Sequence, residues 1–319
     1  TETAQKIIIE GMKKSRYVKP GDFLLSNSMS FGRPYILKID GCIHDGWLVL
    51  RDENALFDKR FLYYYLSSKT TYKKLKSMAV GGVVNNLNSE MVRNVIVPVP
   101  DKEEQSEIAD LFDKIKKILD DRKQELEQLD TLVKSRFVEM FGDIITGKYN
   151  YKIRKLGDVA FIGSSHRVFT TEFVESGIPF YRGTEIGELA NGIEPSEPYY
   201  ISEEHYNKLT KDNTKPRIGD LLMPSICNKG QIWMVDTDRP FYYKDGRVLC
   251  ISPNRDIFNS KYLEYFMRIK TLVEYPKLGS GSTFAEFKIF LLKDMDVLVP
   301  PRNVQNQFAD FVASVDKSK

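Results

Sequence analysis

The stretch VPVPDKEEQSEIADLFDKI at residues 97–115 returns later in the chain as VLVPPRNVQNQFADFVASV at residues 297–315. In both copies an apolar, strand-like run ends in proline, and an amphipathic helical pattern follows. The residues that return unchanged at the same spacing are Val97, Val99, Pro100, Gln105, Ala109 and Asp110, which become Val297, Val299, Pro300, Gln305, Ala309 and Asp310. The repetition indicates that one folded unit occurs twice in this chain.

The similarity extends upstream of the repeated helix. YVKPGDFLLSNSMSFGRPYIL at residues 17–37 aligns with PRIGDLLMPSICNKGQIWMV at residues 216–235, so that one Gly-Asp pair falls on the other. Strand-like residues, an aromatic helical pattern and a Gly-rich loop then follow in each copy. The helical patterns cover residues 59–76 and 260–275. Each copy is therefore predicted to be a mixed lobe, mostly β with one clear helix.

A long amphipathic helix is predicted between the copies, over residues 101–140. Its apolar residues recur at spacings of three and four on a charged background: Ile108, Leu111, Phe112, Ile115, Ile118, Leu119, Leu126, Leu129, Leu132, Val133 and Phe137. Such a helix is on the order of 55 Å long, and so narrow an apolar stripe needs a cover. We expect a partner helix on another chain, with Ile108, Ile115, Leu119, Leu126, Leu129 and Leu132 in the contact; the alternative is that the helix lies on its own lobe.

Length and composition favour a water-soluble protein of two lobes. The 319 residues are 42% hydrophobic and 29% charged, and no apolar run reaches the roughly 18 residues of a membrane span. Three scattered cysteines and the absence of a signal-like N-terminus favour a reducing cytoplasm. Lys and Arg exceed Asp and Glu by 15 to 9 in residues 1–100, whereas residues 101–140 hold 8 against 12. A nucleic-acid partner would therefore contact the lobes rather than the helix.

Four motifs in this order resemble the specificity subunit of type I restriction-modification enzymes. They are LGDVAFIGSSHR at residues 156–167, GIPFYRGTEI at residues 177–186, the Gly-Asp turn, and the proline-bounded helix opening that ends in Ala-Asp. The last two occur twice, and the resemblance covers nearly the whole chain. It implies an α+β fold, in which two homologous, mostly-β target-recognition domains are joined by a long conserved coiled-coil helix.

The resemblance also implies how the chain is divided. Residues 1–100 would be the first target-recognition domain, 101–148 the central helical spacer, 149–300 the second domain, and 301–319 the start of a second conserved helix. Residues 150–202 have no counterpart before Thr1, and the second helix pattern stops at Lys319. Relative to a complete two-copy protein, the chain is therefore expected to be shortened at both ends.

The function that the resemblance implies is DNA recognition without catalysis. Each domain would read one half of a split site in double-stranded DNA, while the helices pair, set the spacing and dock the modification and restriction subunits. A rigid helix suits this role, because half-sites one turn apart lie about 34–36 Å from each other on B-DNA. The exposed stripe would also permit self-association through the long helix.

No catalytic or cofactor motif is found in the sequence. GDIITGKY at residues 142–149 has the GxxxxGK spacing, but Tyr149 stands where a phosphate loop needs Ser or Thr, and the motif follows a helix. The Glu286-x-Lys288 pair lacks an upstream aspartate partner, and the three histidines are isolated, so no metal site is predicted. S-adenosylmethionine, ATP and Mg²⁺ would belong to partner subunits, and this chain is expected to have no cofactor.

Candidate DNA-reading residues are the polar side chains of Gly-bearing loops, since Arg, Lys, Asn, Gln, Ser and Thr contact base edges and phosphates. In the second lobe they are Ser164, Ser165, His166, Arg167, Arg182, Thr184, Asn228, Lys229, Gln231, Lys244, Arg247, Ser282 and Thr283. In the first lobe they are Asn27, Ser28, Ser30, Arg33, His44, Asn85 and Asn86. The alternative for each is a turn residue or a solvated charge, and Arg182 can equally pair with Glu185.

Two other functional classes fit the same pattern less well. A coiled-coil adaptor would dimerise through the long helix and bind proteins with its lobes. An enzyme in its own right would need the cofactor motifs that the sequence lacks. The aromatic residues of the helix at residues 59–76 favour packing between lobe and helix over base stacking.

Overall fold

The computed structural model describes residues 6–27, 31–78, 86–149, 151–212, 215–278 and 285–318. The chain divides into two compact units, Thr1–Glu125 and Leu126–Lys319. Helix α5 (Lys102–Phe141) begins in the first unit and ends in the second. In the described ranges, no helix combines the length and the apolar composition that crossing a membrane requires.

The first unit has two antiparallel sheets flanked by short helices. Its strands are β1 (Arg16–Val18), β2 (Phe23–Ser26), β3 (Pro34–Ile36), β4 (Gly41–Ile43) and β5 (Trp47–Leu50). Its helices before α5 are α1 (Ile9–Met12), α2 (Lys59–Ser67), α3 (Lys69–Met78) and α4 (Ser89–Arg93). The strand orders are β3-β2-β5 and β1-β4. Leu25, Leu75 and Leu87 form the small core beneath the three-stranded sheet.

The second unit has three sheets and a larger core. Its strands are β6 (Lys152–Lys155), β7 (Ala160–Gly163), β8 (Phe173–Val174), β9 (Ile178–Tyr181), β10 (Tyr199–Ile201), β11 (Leu221–Pro224), β12 (Trp233–Met234), β13 (Tyr242–Tyr243), β14 (Val248–Pro253) and β15 (Asp296–Val299). Its helices are α6 (Leu156–Val159), α7 (Gly183–Leu189), α8 (Glu203–Leu209), α9 (Ser260–Glu274), α10 (Ile289–Lys293) and α11 (Arg302–Asp316), with 3-10 turns at Thr170–Glu172 and Tyr275–Lys277. The strand orders are β12-β11-β14-β7, β13-β9-β10-β8 and β15-β6.

The Gly-Asp pair forms the same turn in both units. Gly21 has a φ of 87° and Gly219 has a φ of 82°, in the left-handed region that favours glycine. The Gly21 N–H donates to the Leu37 carbonyl at 2.8 Å, and the Leu37 N–H donates back to the Asp22 carbonyl at 2.9 Å. Gly219 and Val235 repeat this exchange at 2.6 and 2.8 Å. The turn therefore joins the start of β2, and of β11, to the strand that follows it.

The repeated glutamine of the first unit ties the long helix to the aromatic helix. Gln105 is fully buried. Its Oε1 accepts from the Asp58 N–H at 2.7 Å, and its Nε2 donates to the carbonyls of Leu56 and Pro100, both at 2.9 Å. Asp58 is the N-cap of α2, so a single carboxamide joins the start of α2 to the start of α5.

Gln305 makes the same three bonds in the second unit. It is also fully buried, and its Oε1 accepts from the Asn259 N–H at 2.9 Å. Its Nε2 donates to the carbonyls of Ile257 at 2.9 Å and Pro300 at 2.8 Å. Asn259 is the N-cap of α9. The recurrence of this bonding pattern shows that the sequence repeat is a repeat of structure.

Three details differ from the sequence prediction. The helix at residues 59–76 is two helices, because Ser68 is extended and its hydroxyl accepts from the Thr71 N–H at 3.2 Å, which starts α3. The expected strand at residues 97–99 does not form in the first unit, whereas its repeat, β15, pairs with β6. The second unit also has short helices besides α9, so the prediction of one clear helix per lobe was wrong.

The apolar stripe of α5 is covered at the C-terminal end of the helix and largely exposed along its middle. Val133, Phe137 and Phe141 are buried in the second unit, and the Phe137 ring lies 5.3 Å from that of Phe308 on α11. The expectation of cover from another chain is therefore wrong at 133 and 137. Among the predicted contact residues, Ile108 and Leu129 are half-buried, and Ile115, Leu119, Leu126 and Leu132 are exposed.

We predict that Gln305→Leu lowers the free energy of unfolding of the second unit by about 2–4 kcal/mol. Leucine fills the site but leaves the Asn259 N–H and two carbonyls buried without partners. Urea unfolding followed by circular dichroism, together with hydrogen exchange at Asn259, measures the change. The control is Gln307→Leu, the same substitution at an exposed position of α11, which should change stability by less than about 0.5 kcal/mol. Equal unfolding midpoints for the two variants would contradict the prediction.

Candidate nucleic-acid interface

One end of the four-stranded sheet collects many of the predicted residues of the second unit. Strand β11 ends at Pro224, which pairs with Val248 at the start of β14, and β7 ends at Gly163, which pairs with Cys250. The loops that leave or enter these strand ends are residues 164–167, 225–231 and 244–247. The fold therefore brings together three segments that are far apart in sequence.

Three polar side chains of the first loop hold it against β13, the start of β14 and Asp212. The Ser164 hydroxyl donates to the Val248 carbonyl at 2.9 Å and accepts from the Gly246 N–H at 2.8 Å. The Ser165 hydroxyl donates to the Tyr243 carbonyl at 2.5 Å. The ring of His166 lies 2.6 Å from the Asp212 carboxylate. These groups fix the loop and present the next residue.

That next residue is Arg167, which is exposed. Its guanidinium lies 5.4 Å from the centre of the Phe169 ring, which is 57% exposed itself. Within the described ranges, Arg167, Lys229 and Lys244 form no ion pair with a carboxylate. Their charges are consequently available to an anionic partner at this end of the sheet.

Arg247, by contrast, belongs to a cluster of charges. Its guanidinium donates to Glu286 at 2.9 Å, Lys288 bonds the same carboxylate, and the Ser225 hydroxyl donates to it at 3.4 Å. The bond from Lys288, with Arg247 adding to it, lowers the pKa of Glu286 below its ordinary value. The Glu-x-Lys pair thus forms a charged network, and no group of three or more potential metal ligands occurs in the described parts of the chain.

Arg182 forms the ion pair with Glu185 that the sequence left as an alternative. The two side chains approach to 2.5 Å, and the guanidinium also lies 4.6 Å from the centre of the Tyr199 ring. Burial alone would raise the pKa of Glu185, but the hydrogen bonds from Arg182 outweigh it and leave that pKa lowered. Thr184 beside it is exposed. Arg182 therefore stabilises the start of α7.

The loop after β11 is closed by its own amide side chains. Gln231 Oε1 accepts from the Lys229 N–H at 2.9 Å, and its Nε2 donates to Asn228 Oδ1 at 3.5 Å. Asn228 and Lys229 are exposed, and Gln231 is half-buried. The Lys244 N–H donates to the Tyr181 carbonyl at 2.9 Å, which holds the neighbouring loop next to β9.

In the first unit, Asn27 and His44 lie at the matching sheet end. Asn27 Nδ2 donates to the Asp45 carbonyl at 2.8 Å, and His44 Nδ1 accepts from the Gly46 N–H at 2.9 Å. Arg33 and Asn86 are exposed. The predicted residues Ser28, Ser30, Asn85, Ser282 and Thr283 lie outside the described residues.

Backbone hydrogen bonds make the sheet ends of the two units equivalent. The Ser225 N–H donates to the Arg247 carbonyl at 2.8 Å, and its carbonyl accepts from the Phe287 N–H at 2.7 Å. Asn27 makes both bonds in the first unit, with the Gly46 carbonyl at 3.0 Å and the Leu87 N–H at 2.8 Å. Ser225, Arg247 and Glu286 therefore stand where the first unit has Asn27, Gly46 and Asn86. The scaffold is shared and the side chains are not.

Two partners at the site were not singled out from sequence. Asp212 lies 46 residues from His166, and Phe169 follows Arg167 by two positions. No local pattern indicates the first pairing. For Phe169, the signal available in the sequence was an aromatic residue two positions after an arginine.

Two buried cysteines and the GxxxxGK stretch have structural rather than reactive roles in the fold. Burial raises the pKa of Cys250 to about 12 and that of Cys227 to about 11, so neither thiol is a ready nucleophile. The GxxxxGK stretch is a turn closed by a bridge between Asp143 and Lys148, and not the strand–loop–helix of a phosphate loop.

Comparison with known proteins gives matches along most of the chain. Residues 2–129 match the family model of the type I restriction modification DNA specificity domain. The MjaVIII specificity subunit of Methanocaldococcus jannaschii is 23% identical over 95% of this chain and 74% of its own length. The MjaIX specificity subunit of the same organism is 22% identical over 93% of this chain and 71% of its own length.

Solved structures share the fold. The type I restriction-modification S subunit from M. genitalium has a TM-score of 0.57 at 15% identity, with 96% of this chain and 78% of that chain covered. A chain from a study of complex assembly in the type I R-M system also has a TM-score of 0.57, at 18% identity, with 95% and 76% covered. The sequence matches and the shared fold thus make this chain similar to type I restriction-modification specificity subunits, with the DNA specificity domain of that family matched over residues 2–129.

Proposed function

We propose that this chain recognises a bipartite site in double-stranded DNA, with each unit reading one half. The observation that carries the proposal is the shared sheet end with different side chains in the two units. Ser225, Arg247 and Glu286 replace Asn27, Gly46 and Asn86 on the same hydrogen-bonded backbone. A protein that recognises two unlike half-sites needs the same backbone with different side chains in its two units, because base edges are distinguished by side-chain donors and acceptors.

The charges at the sheet end of the second unit support a nucleic-acid partner. Arg167, Lys229 and Lys244 lie on loops that hydrogen bonds hold in place, and carboxylates neutralise other cations nearby. Phosphates supply most of the affinity for DNA, and base contacts supply the sequence preference. We assign base reading to Arg167 and phosphate contact to the two lysines.

The long helix is proposed to set the spacing of the half-sites and to dock partner subunits. Helix α5 has 40 residues and is about 60 Å long. Its exposed apolar residues Ile115, Leu119 and Leu126 give modification and restriction subunits a hydrophobic surface. A homologous pair of helices on a second copy is the competing occupant.

Catalysis is proposed to lie in the partner subunits, which would supply S-adenosylmethionine, ATP and Mg²⁺ sites. The thiols of Cys227 and Cys250 are buried, the Glu286 carboxylate is held by Lys288 and Arg247, and the GxxxxGK stretch is a turn. None of these groups is arranged for methyl transfer or phosphodiester cleavage.

We predict that Arg167→Ala, in a complex reconstituted with modification subunits, relaxes selection at one or two base pairs of one half-site. A bidentate arginine contact with guanine contributes about 1–3 kcal/mol of discrimination. Binding selection from a random duplex library measures it. Arg154→Ala, at an exposed arginine on β6, is the control and should keep the parental preference. A uniform loss over all sequences, with a salt slope lower by about one, would instead make Arg167 a phosphate contact.

The purified chain should neither methylate nor cleave DNA when S-adenosylmethionine, ATP and Mg²⁺ are supplied. Tritiated methyl transfer and plasmid nicking measure the two activities. Addition of a cognate modification subunit should restore methylation, which shows that the preparation is competent. Methylation or cleavage of DNA by the chain freed of partner subunits would contradict the proposal that it only recognises DNA.

Substituting Ile115→Asp together with Leu126→Asp should weaken association with partner subunits at least about tenfold, since two charges would enter an apolar contact. The matched control is Gln124→Asp with Gln128→Asp, which adds the same charge at exposed polar positions of α5. Light scattering and titration with the modification subunit measure association. Equal affinities for the two double variants would rule out docking through this stripe.

A further inference from the structure

Arg247 and Glu286 form an ion pair at the sheet end of the second unit, and the proposed function gives this pair no role. The guanidinium Nη1 donates to Glu286 Oε2 at 2.9 Å. The side chain of Arg247 is 62% exposed and that of Glu286 is 21% exposed. The Arg247–Glu286 pair therefore presents a donor group and an acceptor group side by side at the surface.

Main-chain hydrogen bonds hold the pair in place before any ligand binds. The Arg247 carbonyl accepts from the Ser225 N–H at 2.8 Å, and the Ser225 carbonyl accepts from the Phe287 N–H at 2.7 Å. Ser225 is 1% exposed, and its hydroxyl donates to the Glu286 carboxylate at 3.4 Å. A ligand that contacts the pair consequently meets groups that are already ordered, which reduces the entropic cost of binding.

The loop that carries Arg167 touches the loop that carries Arg247. The Gly246 N–H, which immediately precedes Arg247, donates to the Ser164 hydroxyl at 2.8 Å. A duplex that contacts Arg167 is therefore within reach of the Arg247–Glu286 pair.

Both side chains of the pair keep hydrogen-bonding capacity. An arginine has five N–H donors, and in the described ranges the Arg247 side chain donates only through Nη1. Its Nη2 and Nε edge has no partner there, and this edge has the geometry of a bidentate contact. Lys288 bonds Glu286 Oε1, and a carboxylate oxygen can accept a second hydrogen bond.

Glu286 acts as an acceptor and not as a donor. The bond from Lys288, with the charge of Arg247 adding to it, lowers the pKa of this carboxyl, so the group is ionised at neutral pH. A carboxylate beside Arg247 repels a phosphate, which makes the pair better matched to a base edge than to the DNA backbone. Lys288 supplies a second cation, so the three residues together do not repel the duplex.

We propose that Arg247 and Glu286 together recognise one G·C base pair in the half-site of the second unit. This inference rests on the proposed function and adds a base pair to it. In the major groove guanine presents two acceptors, O6 and N7, and its partner cytosine presents the N4 amino donor. The arginine edge matches the two acceptors, and the carboxylate matches the donor. An A·T pair has its amino donor between two acceptors, so both side chains would face a group of the wrong kind.

The first unit has no equivalent pair. Gly46 and Asn86 occupy the positions of Arg247 and Glu286 on the shared backbone. Substitution of the pair should therefore leave the other half-site unchanged, and that half-site serves as an internal control.

Selection from a random duplex library, by a complex reconstituted with modification subunits, tests the pair. Glu286→Gln and Arg247→Lys should each lower the preference for G·C at the same position by at least about fivefold. The lysine keeps the charge of Arg247 and loses the bidentate geometry, so a simple phosphate contact would survive this change. Asp245→Asn is the matched control, because it removes one negative charge two residues before Arg247, and it should keep the parental preference.

The outcomes separate this inference from the proposed function. If the parental complex selects a split site and both variants select it equally, the inference is overturned and the proposed function stands. Losses at two different positions, or a uniform loss over all sequences, would also overturn the inference. If the parental complex selects no split site, the proposed function fails and the inference fails with it.

Base analogues test the same contact without any change in the protein. At the G·C position that the selection identifies, 7-deazaguanine lacks the N7 acceptor and should weaken binding of the parental complex at least about fivefold. Inosine lacks only the amino group of guanine in the minor groove and should bind as guanine does. Unchanged affinity for the 7-deazaguanine duplex, or weakening by inosine alone, would overturn the inference.

Discussion

The buried glutamine at the start of each long helix is the interaction on which the rest of each unit depends. The capped helix of the unit and the proline-bounded segment before the long helix meet at a point where one N–H and two carbonyls are removed from water. A carboxamide can accept from the first and donate to both of the others, and no other side chain does so without a charge. Gln105 and Gln305 meet this demand identically. The direction in which α5 leaves the first unit is thereby tied to that unit's own core.

A scaffold tied in this way leaves its loops free to differ. The bonds that align the sheet end involve only main-chain atoms, so Ser225 and Asn27 occupy one position with different side chains. Sequence change at these positions costs little folding energy, whereas change at the glutamine or at Gly219 disturbs buried hydrogen bonds or a left-handed turn. A recognition protein benefits from this separation, because its specificity can change while its framework is kept.

The sequence predicts the framework better than the site. The Gly-Asp turn, α9 and α5 are local patterns, and each forms as predicted. The charge cluster at Arg247 depends on Glu286, which is 39 residues away, and on the backbone that aligns them. Loop composition can identify such residues as candidates. It cannot distinguish an arginine that is paired with a carboxylate from one that is not, because partners on neighbouring strands produce no periodic pattern in the sequence.

The contrast between residues 97–99 and β15 shows why even a strong local pattern has a limit. Val97 and Val297 belong to the matching stretches VPVP and VLVP of the repeat, yet only the second copy forms a strand. A β-strand is defined by hydrogen bonds to a neighbour, and its propensity expresses how well the side chains fit a half-buried pleated surface. In the second unit β6 supplies that neighbour, and in the first no described strand does. Whether this segment becomes a strand therefore depends on a second segment that pairs with it. Its own sequence determines only its propensity to form a strand.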